Sequence, residues 1–164
     1  MPRTSERERC ICSALRQATR HVTQIYDTAL ATTGLTITGY VLLARIGDAD
    51  RAGINELAAA AVMDRSTLSR NLEPLRDAKL IDVRAGSDRR RKEVALTAKG
   101  RKALAAALPR WRAAQRNFKR QYGAGEADAL TRLLARTLAV GDETNNTKIA
   151  AAMQSAPEAT NATS

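Results

Sequence analysis

Asp88-Arg89-Arg90-Arg91-Lys92-Glu93-Val94-Ala95-Leu96-Thr97-Ala98-Lys99-Gly100 is the stretch on which the reading of the fold turns. It opens with four cations beside a single carboxylate. It then alternates, so that Val94 and Leu96 share one face, and ends on Thr97, a good N-cap for a following helix. Just upstream, Leu80 to Arg84 alternates as well, with Ile81 and Val83 on one face. The two runs flank Gly86-Ser87-Asp88-Arg89-Arg90 and read as a two-stranded hairpin with a basic tip. Asp88 can accept from loop amides there or pair with one guanidinium, fixing the turn while another arginine points outward.

The charge of the whole chain is organised around this hairpin. Its 164 residues carry 27 Lys and Arg against 17 Asp and Glu, a net charge of +10. Residues 1–64 hold 7 basic and 7 acidic side chains, residues 65–102 hold 12 and 5, and residues 103–164 hold 8 and 5. The excess is concentrated in the middle segment rather than spread as a solubilising coat, which points to an anionic partner.

Other classes drop out. The longest uncharged apolar run, Leu57 to Met63, falls far short of the roughly 20 residues that span a bilayer, so no membrane partner is expected. No apolar segment follows the N-terminal charges as a secretory signal would. Two cysteines, Cys10 and Cys12, with one histidine, His21, cannot complete the four ligands of a structural zinc site. The expectation is a cytoplasmic protein without metal or cofactor. With no Gly-rich phosphate loop, and with His21 about 13.5 Å along a helix from Cys12, it is not an enzyme.

Aromatics are 3% of the chain, so the core must be aliphatic, and the abundance of alanine favours helices. Ser5 with Glu8 forms a capping box that opens a long helix. Ile11, Leu15, Ala18, Val22, Ile25 and Ala29 line one face of that helix, and Thr33-Gly34 stops it. A second helix is predicted over Thr38–Ile46, then a polar break to Gly53 and a short helix from Asn55 to about Ala61. Asp64 caps the next, Arg65–Ala78. Thr97 caps a long helix to about Tyr122, with a kink at Pro109. Gly123-Ala124-Gly125 breaks it, and a last helix spans roughly Glu126–Val140.

Two short helices joined by a tight turn and followed by a basic hairpin make a winged helix-turn-helix. The fold class is therefore mainly α with a small β-hairpin wing, joined to a helical dimerisation core. On Arg65–Ala78, Leu68, Leu72 and Leu75 form the inward stripe at 100° per residue. The opposite face carries Ser66, Thr67 and Arg70, with Arg65 and Ser69 on the flanks. These groups suit phosphates and base edges, and Arg70 can reach a guanine O6/N7 pair. Glu73 and Asp77 farther along repel phosphate, so the N-terminal half should dock. Pro74 should bend this helix at a cost of about 3 kcal/mol on propensity scales.

The segment from Asp88 to Gly100 resembles the D-x-R-x-x-x-V-x-L-T-x-x-G wing signature of MarR-type transcriptional regulators. Glu56-Leu57-Ala58 and Arg65-Ser66-Thr67-Leu68-Ser69-Arg70 look like that family's helix-turn-helix, and the order of elements matches over residues 5–141. The resemblance implies a homodimer reading a pseudo-palindrome in double-stranded DNA, with Arg90 entering the minor groove between Arg89 and Arg91 and Asp88 steadying the wing. It implies a helical dimerisation core at residues 5–33 and 98–141, a DNA-binding lobe at 35–97, and a C-terminal tail at 142–164. Val62 stands where a glycine is common in the turn. Independently, the first helix has an apolar stripe about 28 Å long. The last helices add Leu104, Leu108, Leu130, Leu133, Leu134 and Leu138, more than one small lobe can cover.

The resemblance also implies release from DNA by a small phenolic or other aromatic effector in the cleft between core and lobe. His21, Tyr26, Tyr40 and Trp111 are the residues suited to line it, with ordinary packing as the other role for each. A second trigger is open. Ile11-Cys12-Ser13-Ala14-Leu15 resembles the start of the first helix in the organic-hydroperoxide-sensing branch of the family, with Cys12 at the oxidised position. Tyr26 matches one supporting tyrosine, and Arg16 and Ile37 replace the other two. Tyr26 lies about 21 Å along the helix from Cys12, so the two meet only across a dimer, and Cys10 lies about 200° around from Cys12. The main expectation is a sequence-specific repressor, and the alternatives are a Cys12 thiol or peroxide sensor and a sequence-blind architectural DNA-binding protein.

Overall fold

A computed structural model of the chain describes residues 10–85 and 92–140. Six helices and three strands follow in the order α1 (Ile11–Leu30), α2 (Ile37–Asp48), β1 (Arg51–Gly53), α3 (Ile54–Ala60), α4 (Arg65–Asp77), β2 (Ile81–Ala85), β3 (Lys92–Leu96), α5 (Ala98–Tyr122) and α6 (Ala124–Thr137). A short 3-10 turn at Ala31–Thr33 continues α1, and Gly34, with φ of 72°, ends it in the left-handed region that favours glycine. No single described helix is long and apolar enough to cross a membrane.

Of the residues named by the helical period, Leu68, Leu72 and Leu75 of α4 enter the core, whereas the α1 stripe from Ile11 to Ala29 supplies no fully buried residue. Leu30, Leu42, Leu43, Ile46, Leu68 and Val94 are fully buried, drawn from α1, α2, α4 and β3. Burying each such side chain contributes about 1.5–3 kcal/mol of gross stabilisation. Ala107 of α5 completes the cluster, and its small side chain lets that long helix approach closely. The sheet is antiparallel in the order β1-β3-β2. Its register pairs Ile81 with Leu96 and Val83 with Val94, so the apolar faces of the two alternating runs coincide.

The end of the opening motif joins this core to α5. Thr97 caps α5 by accepting from the Gly100 N–H at 2.9 Å, while its hydroxyl donates to the Lys79 carbonyl at 2.8 Å. The Thr97 N–H donates to the Leu80 carbonyl at 3.0 Å, and Lys99 Nζ reaches the Ala78 carbonyl at 2.8 Å. Gly100 is required at this junction because a Cβ there would overlap the Leu80 carbonyl oxygen. The start of α5 is thus bonded to the corner between α4 and β2 by one main-chain bond, from Thr97 to Leu80, and by the side chains of Thr97 and Lys99.

Four expectations change. The hairpin is part of a three-stranded sheet, because Arg51–Gly53, read as a polar break, pairs along β3 through Ala52 and Val94. Three residues are too few for an alternation signal, and only Ala52 of the three is buried. Helix α1 begins at Ile11 with Cys10 as its extended N-cap residue, so it does not open at Ser5; Ser5 and Glu8 lie outside the described residues. Helix α6 begins at Ala124, so the break after α5 narrows to Gly123, while α5 continues past Pro109 to Tyr122 and α4 past Pro74 to Asp77. Helix α6 ends at Thr137, short of Val140.

Gly100→Ala is expected to lower stability by about 1–3 kcal/mol, the usual cost of overpacking, read as a lower urea midpoint with an unchanged m-value. Gly125→Ala, in α6 with open space around its Cα, should leave stability unchanged or raise it by up to about 1 kcal/mol.

Candidate nucleic-acid interface

Helices α3 and α4 each stop in the same way. Met63 N–H bonds to the Ala58 carbonyl at 2.9 Å and Val62 N–H to Ala59 at 3.1 Å. After α4, Leu80 N–H bonds to Leu75 at 2.8 Å and Lys79 N–H to Arg76 at 2.8 Å. Both are Schellman closures, which place the residue after the cap in the left-handed region. That residue is Val62 at φ 52° and Lys79 at φ 57°, where glycine is usual. A β-branched side chain at this φ is strained, and Val62 is also 55% exposed. The turn that sets the angle between the two short helices is therefore held by its hydrogen bonds against a local cost.

Helix α4 then starts on Asp64, whose Oδ1 accepts from the Thr67 N–H at 2.8 Å. The same carboxylate accepts from the Ser66 hydroxyl at 2.6 Å and from the Thr67 hydroxyl at 2.6 Å. Those bonds, from Ser66 first and then Thr67, hold the Asp64 carboxyl well below the usual carboxylate range. Leu68, Leu72 and Leu75 are buried as the inward stripe. Arg65, Ser66, Ser69 and Arg70 are exposed and Thr67 is half-buried, so the polar face is displayed as the helical period requires. Arg70 lies back along its own helix, with Nη2 3.4 Å from Thr67 Oγ1 and Nε 3.4 Å from the Ser66 carbonyl. Arg76 pairs with both Glu73 at 3.6 Å and Asp77 at 3.3 Å, so the far end of the helix keeps a net negative charge.

Strands β2 and β3 pair as far as Ala85 with Lys92. The arginines Arg89, Arg90 and Arg91 and the wing acid Asp88 lie outside the described residues. On the strands, Arg84 pairs with Asp82 and Arg51 with Glu93.

The aromatic residues separate. Tyr40 stacks on Trp111 with ring centroids 5.7 Å apart, and it also lines a cavity of about 470 Å³ between α2, α5 and the end of β3. Ala44, Gly47, Leu96, Leu104 and Leu108 form the apolar wall of this cavity, and Asp48, Asp50 and Arg101 supply charge. Burial raises the Tyr40 phenol pKa, opposed by Arg112 and aided by Asp48. Tyr26 is buried elsewhere, its hydroxyl bonded to Gln115 of α5, and burial raises its pKa too. His21 is exposed on α1. Of the four aromatic-cleft candidates, then, only Tyr40 lines this cavity, with Trp111 stacked against it. Cys10 and Cys12 are both exposed. Because Cys10 precedes the helix, the helical angle between the two thiols does not apply.

Sequence reading missed the triad built on Asp64 and the charged groups of the cavity. The first had a signal, since Asp64-Arg65-Ser66-Thr67 places hydroxyls two and three residues after an N-cap aspartate, where short side chains bond locally. The second had none, because Asp48 and Arg101 are far apart in the chain and meet only through the packing of α2 on α5.

The chain is 37% identical to the M. tuberculosis transcriptional regulator MosR, solved in complex with DNA; the match has a TM-score of 0.71 and covers 90% of this chain and 99% of that one. It is 30% identical to a probable transcriptional regulator from Pseudomonas aeruginosa, with a TM-score of 0.72 over 79% of this chain and 98% of that one. It shares its fold with apo MarR from E. coli at 18% identity and a TM-score of 0.61, over 78% of this chain and 96% of that one. No protein-family model and no curated protein matches the chain.

Val62→Gly is expected to relieve the strained turn and raise stability by on the order of 1 kcal/mol, measured as a higher thermal midpoint. A lower midpoint would show that the Val62 side chain gains more by its packing than its backbone costs.

Proposed function

Taking as premise that this chain belongs to the MarR family of transcriptional regulators, we propose that it is a homodimeric, sequence-specific repressor that grips a pseudo-palindromic operator. The N-terminal half of α4 carries this reading: Arg65, Ser66, Ser69 and Arg70 are exposed and Thr67 is half-buried beside them, on a helix of 13 residues that fits a major groove. Arg89, Arg90 and Arg91 follow between β2 and β3, and Arg90 enters the adjoining minor groove beside Asp88. DNA binding by the 37% identical relative supports the assignment.

Dimerisation falls to residues 5–33 and 98–141, and the DNA-binding lobe is residues 35–97. The apolar surface left open by a single chain supports this. Ile11 is 73% exposed and Leu133 56%, Leu134 of α6 and Leu138 just after it are exposed as well, and Ala127 is the one buried residue of α6. A second copy covering these helices would give the two-fold symmetry that a half-site repeat of about 10 bp demands.

Release falls to the cavity beside Tyr40. An aromatic effector there would enter between α2 and α5, where lobe and core are joined, and shift the population toward the lobe spacing it prefers. A second reading, release by oxidation of Cys12, is favoured by the exposure of its thiol in the first turn of α1, with Cys10 exposed just before the helix.

Arg90→Ala should weaken operator affinity and reduce the slope of log K against log salt by about 0.9 for each phosphate that the variant no longer neutralises. Unchanged affinity and slope in a folded variant would reject the wing role. The wild-type protein should prefer operator to random DNA by at least about 10³-fold at physiological salt, and a ratio near one would favour an architectural protein. Leu134→Glu with Leu138→Glu should yield a folded monomer in sedimentation that no longer binds operator. Release by phenolic acids, set against release by peroxide that Cys12→Ser abolishes, separates the two triggers.

A further inference from the structure

We propose that Asp64 presents Ser66, with Thr67 beside it, to the major groove as a hydrogen-bond acceptor, so that the first turn of α4 selects bases bearing an exocyclic amino group. This rests on the reading that α4 enters that groove. A hydroxyl has one proton to donate and two lone pairs to accept with, whereas an ionised carboxylate only accepts. Asp64 Oδ1 receives the Ser66 hydroxyl at 2.6 Å and the Thr67 N–H at 2.8 Å, and Oδ2 receives the Thr67 hydroxyl at 2.6 Å. Both side-chain protons therefore point at Asp64, and both oxygens turn lone pairs outward. Thr67 is half-buried, with Arg70 Nη2 facing it at 3.4 Å. Ser66 is exposed, and its oxygen is the one open to a base edge.

The consequence is a sorting of ligands. Phosphate oxygens, thymine O4, and guanine O6 and N7 are all acceptors, so they meet lone pairs at Ser66 and gain nothing from it. Adenine N6 and cytosine N4 are donors and fit. A donor in a chain of hydrogen bonds is polarised by the next member, so the bond to Asp64 makes the Ser66 oxygen a better acceptor. Asp64 is then a positioning residue with two roles, capping the helix through the Thr67 N–H and fixing the polarity of its reading face. Phosphate binding along α4 falls to Arg65 and Arg70, which carry only donors.

The test selects binding sites from a random duplex pool with the full-length protein, then substitutes each half-site position and measures affinity for wild type, Ser66→Ala and Asp64→Ser. Serine is as good an N-cap as aspartate, so Asp64→Ser keeps α4 while releasing the Ser66 proton; unchanged circular dichroism and thermal midpoint check that. At one position the wild type should prefer adenine or cytosine over thymine or guanine by about 5- to 10-fold, the worth of a single base-edge bond. Ser66→Ala should abolish that preference while leaving the salt slope and every other position unchanged. Asp64→Ser should broaden the same position to admit thymine or guanine. Loss of a thymine or guanine preference in Ser66→Ala would overturn the proposal, since Ser66 would then be donating. A smaller salt slope with base preferences intact would overturn it, since Ser66 would then be holding a phosphate. No change at all would overturn it too, since Ser66 would then touch nothing. Failure of the wild type to select any sequence is a separate result, and it would remove the regulator reading together with this one.

Discussion

Helix α5 meets the corner between α4 and β2 at close range, through one main-chain bond, two side-chain bonds and a glycine contact that admits no Cβ. The Leu80 carbonyl accepts from the Thr97 N–H and lies where a Cβ of residue 100 would sit, while Thr97 closes on the Lys79 carbonyl and Lys99 on that of Ala78. Side-chain packing can relax over an ångström, but hydrogen bonds at 2.8–3.0 Å cannot without breaking. The orientation of α5 is therefore fixed relative to the end of α4. If α5 and α6 hold two copies together as proposed, the same joint sets the distance between two reading helices.

The joint explains why a cavity between α2 and α5 is a sensible place for control. Its walls are Tyr40, Leu104 and Leu108 on the helices and Leu96 at the end of β3, one residue before the Thr97 cap. An effector seated there, as proposed, would press on α5 at a point next to the bonds that orient it and would have to strain them to move it. A small displacement at that point becomes a larger one at the far end of a rigid helix of 25 residues. Two discrete lobe spacings, biased by what fills the cavity, are the conformational element such a mechanism needs.

Much of this was legible in the sequence because each local signal agreed with the others. Alternation at Ile81, Val83, Val94 and Leu96 marked both strands and, since their apolar faces must coincide, the register. Thr97 and Asp64 marked two helix starts, and the leucines at 68, 72 and 75 marked the buried side of α4. What was hidden falls into physical classes. Strand β1 is three residues long, and its pairing is a long-range event with β3. The ends of α3 and α4 were legible to within a residue, but their left-handed closure was not, because Val62 and Lys79 adopt it without the glycine that announces it. The cavity is assembled by helices far apart in the chain. Tyr26 and His21 share α1, yet the first turns inward to Gln115 and the second outward to solvent, so neither reaches the cavity beside Tyr40.

If two copies assemble as proposed, the joint and the shared helical core should hold the effector-free lobes at one spacing and make binding sensitive to the distance between half-sites. Inserting 5 bp at the centre of the selected operator rotates one half-site by about half a helical turn relative to the other. Affinity measured by fluorescence anisotropy should fall to the level of random DNA, because a dimer with fixed lobes can then engage only one half. Affinity kept within a few-fold of the original would mean that the chains bind independently or swing freely, and would contradict the rigid joint.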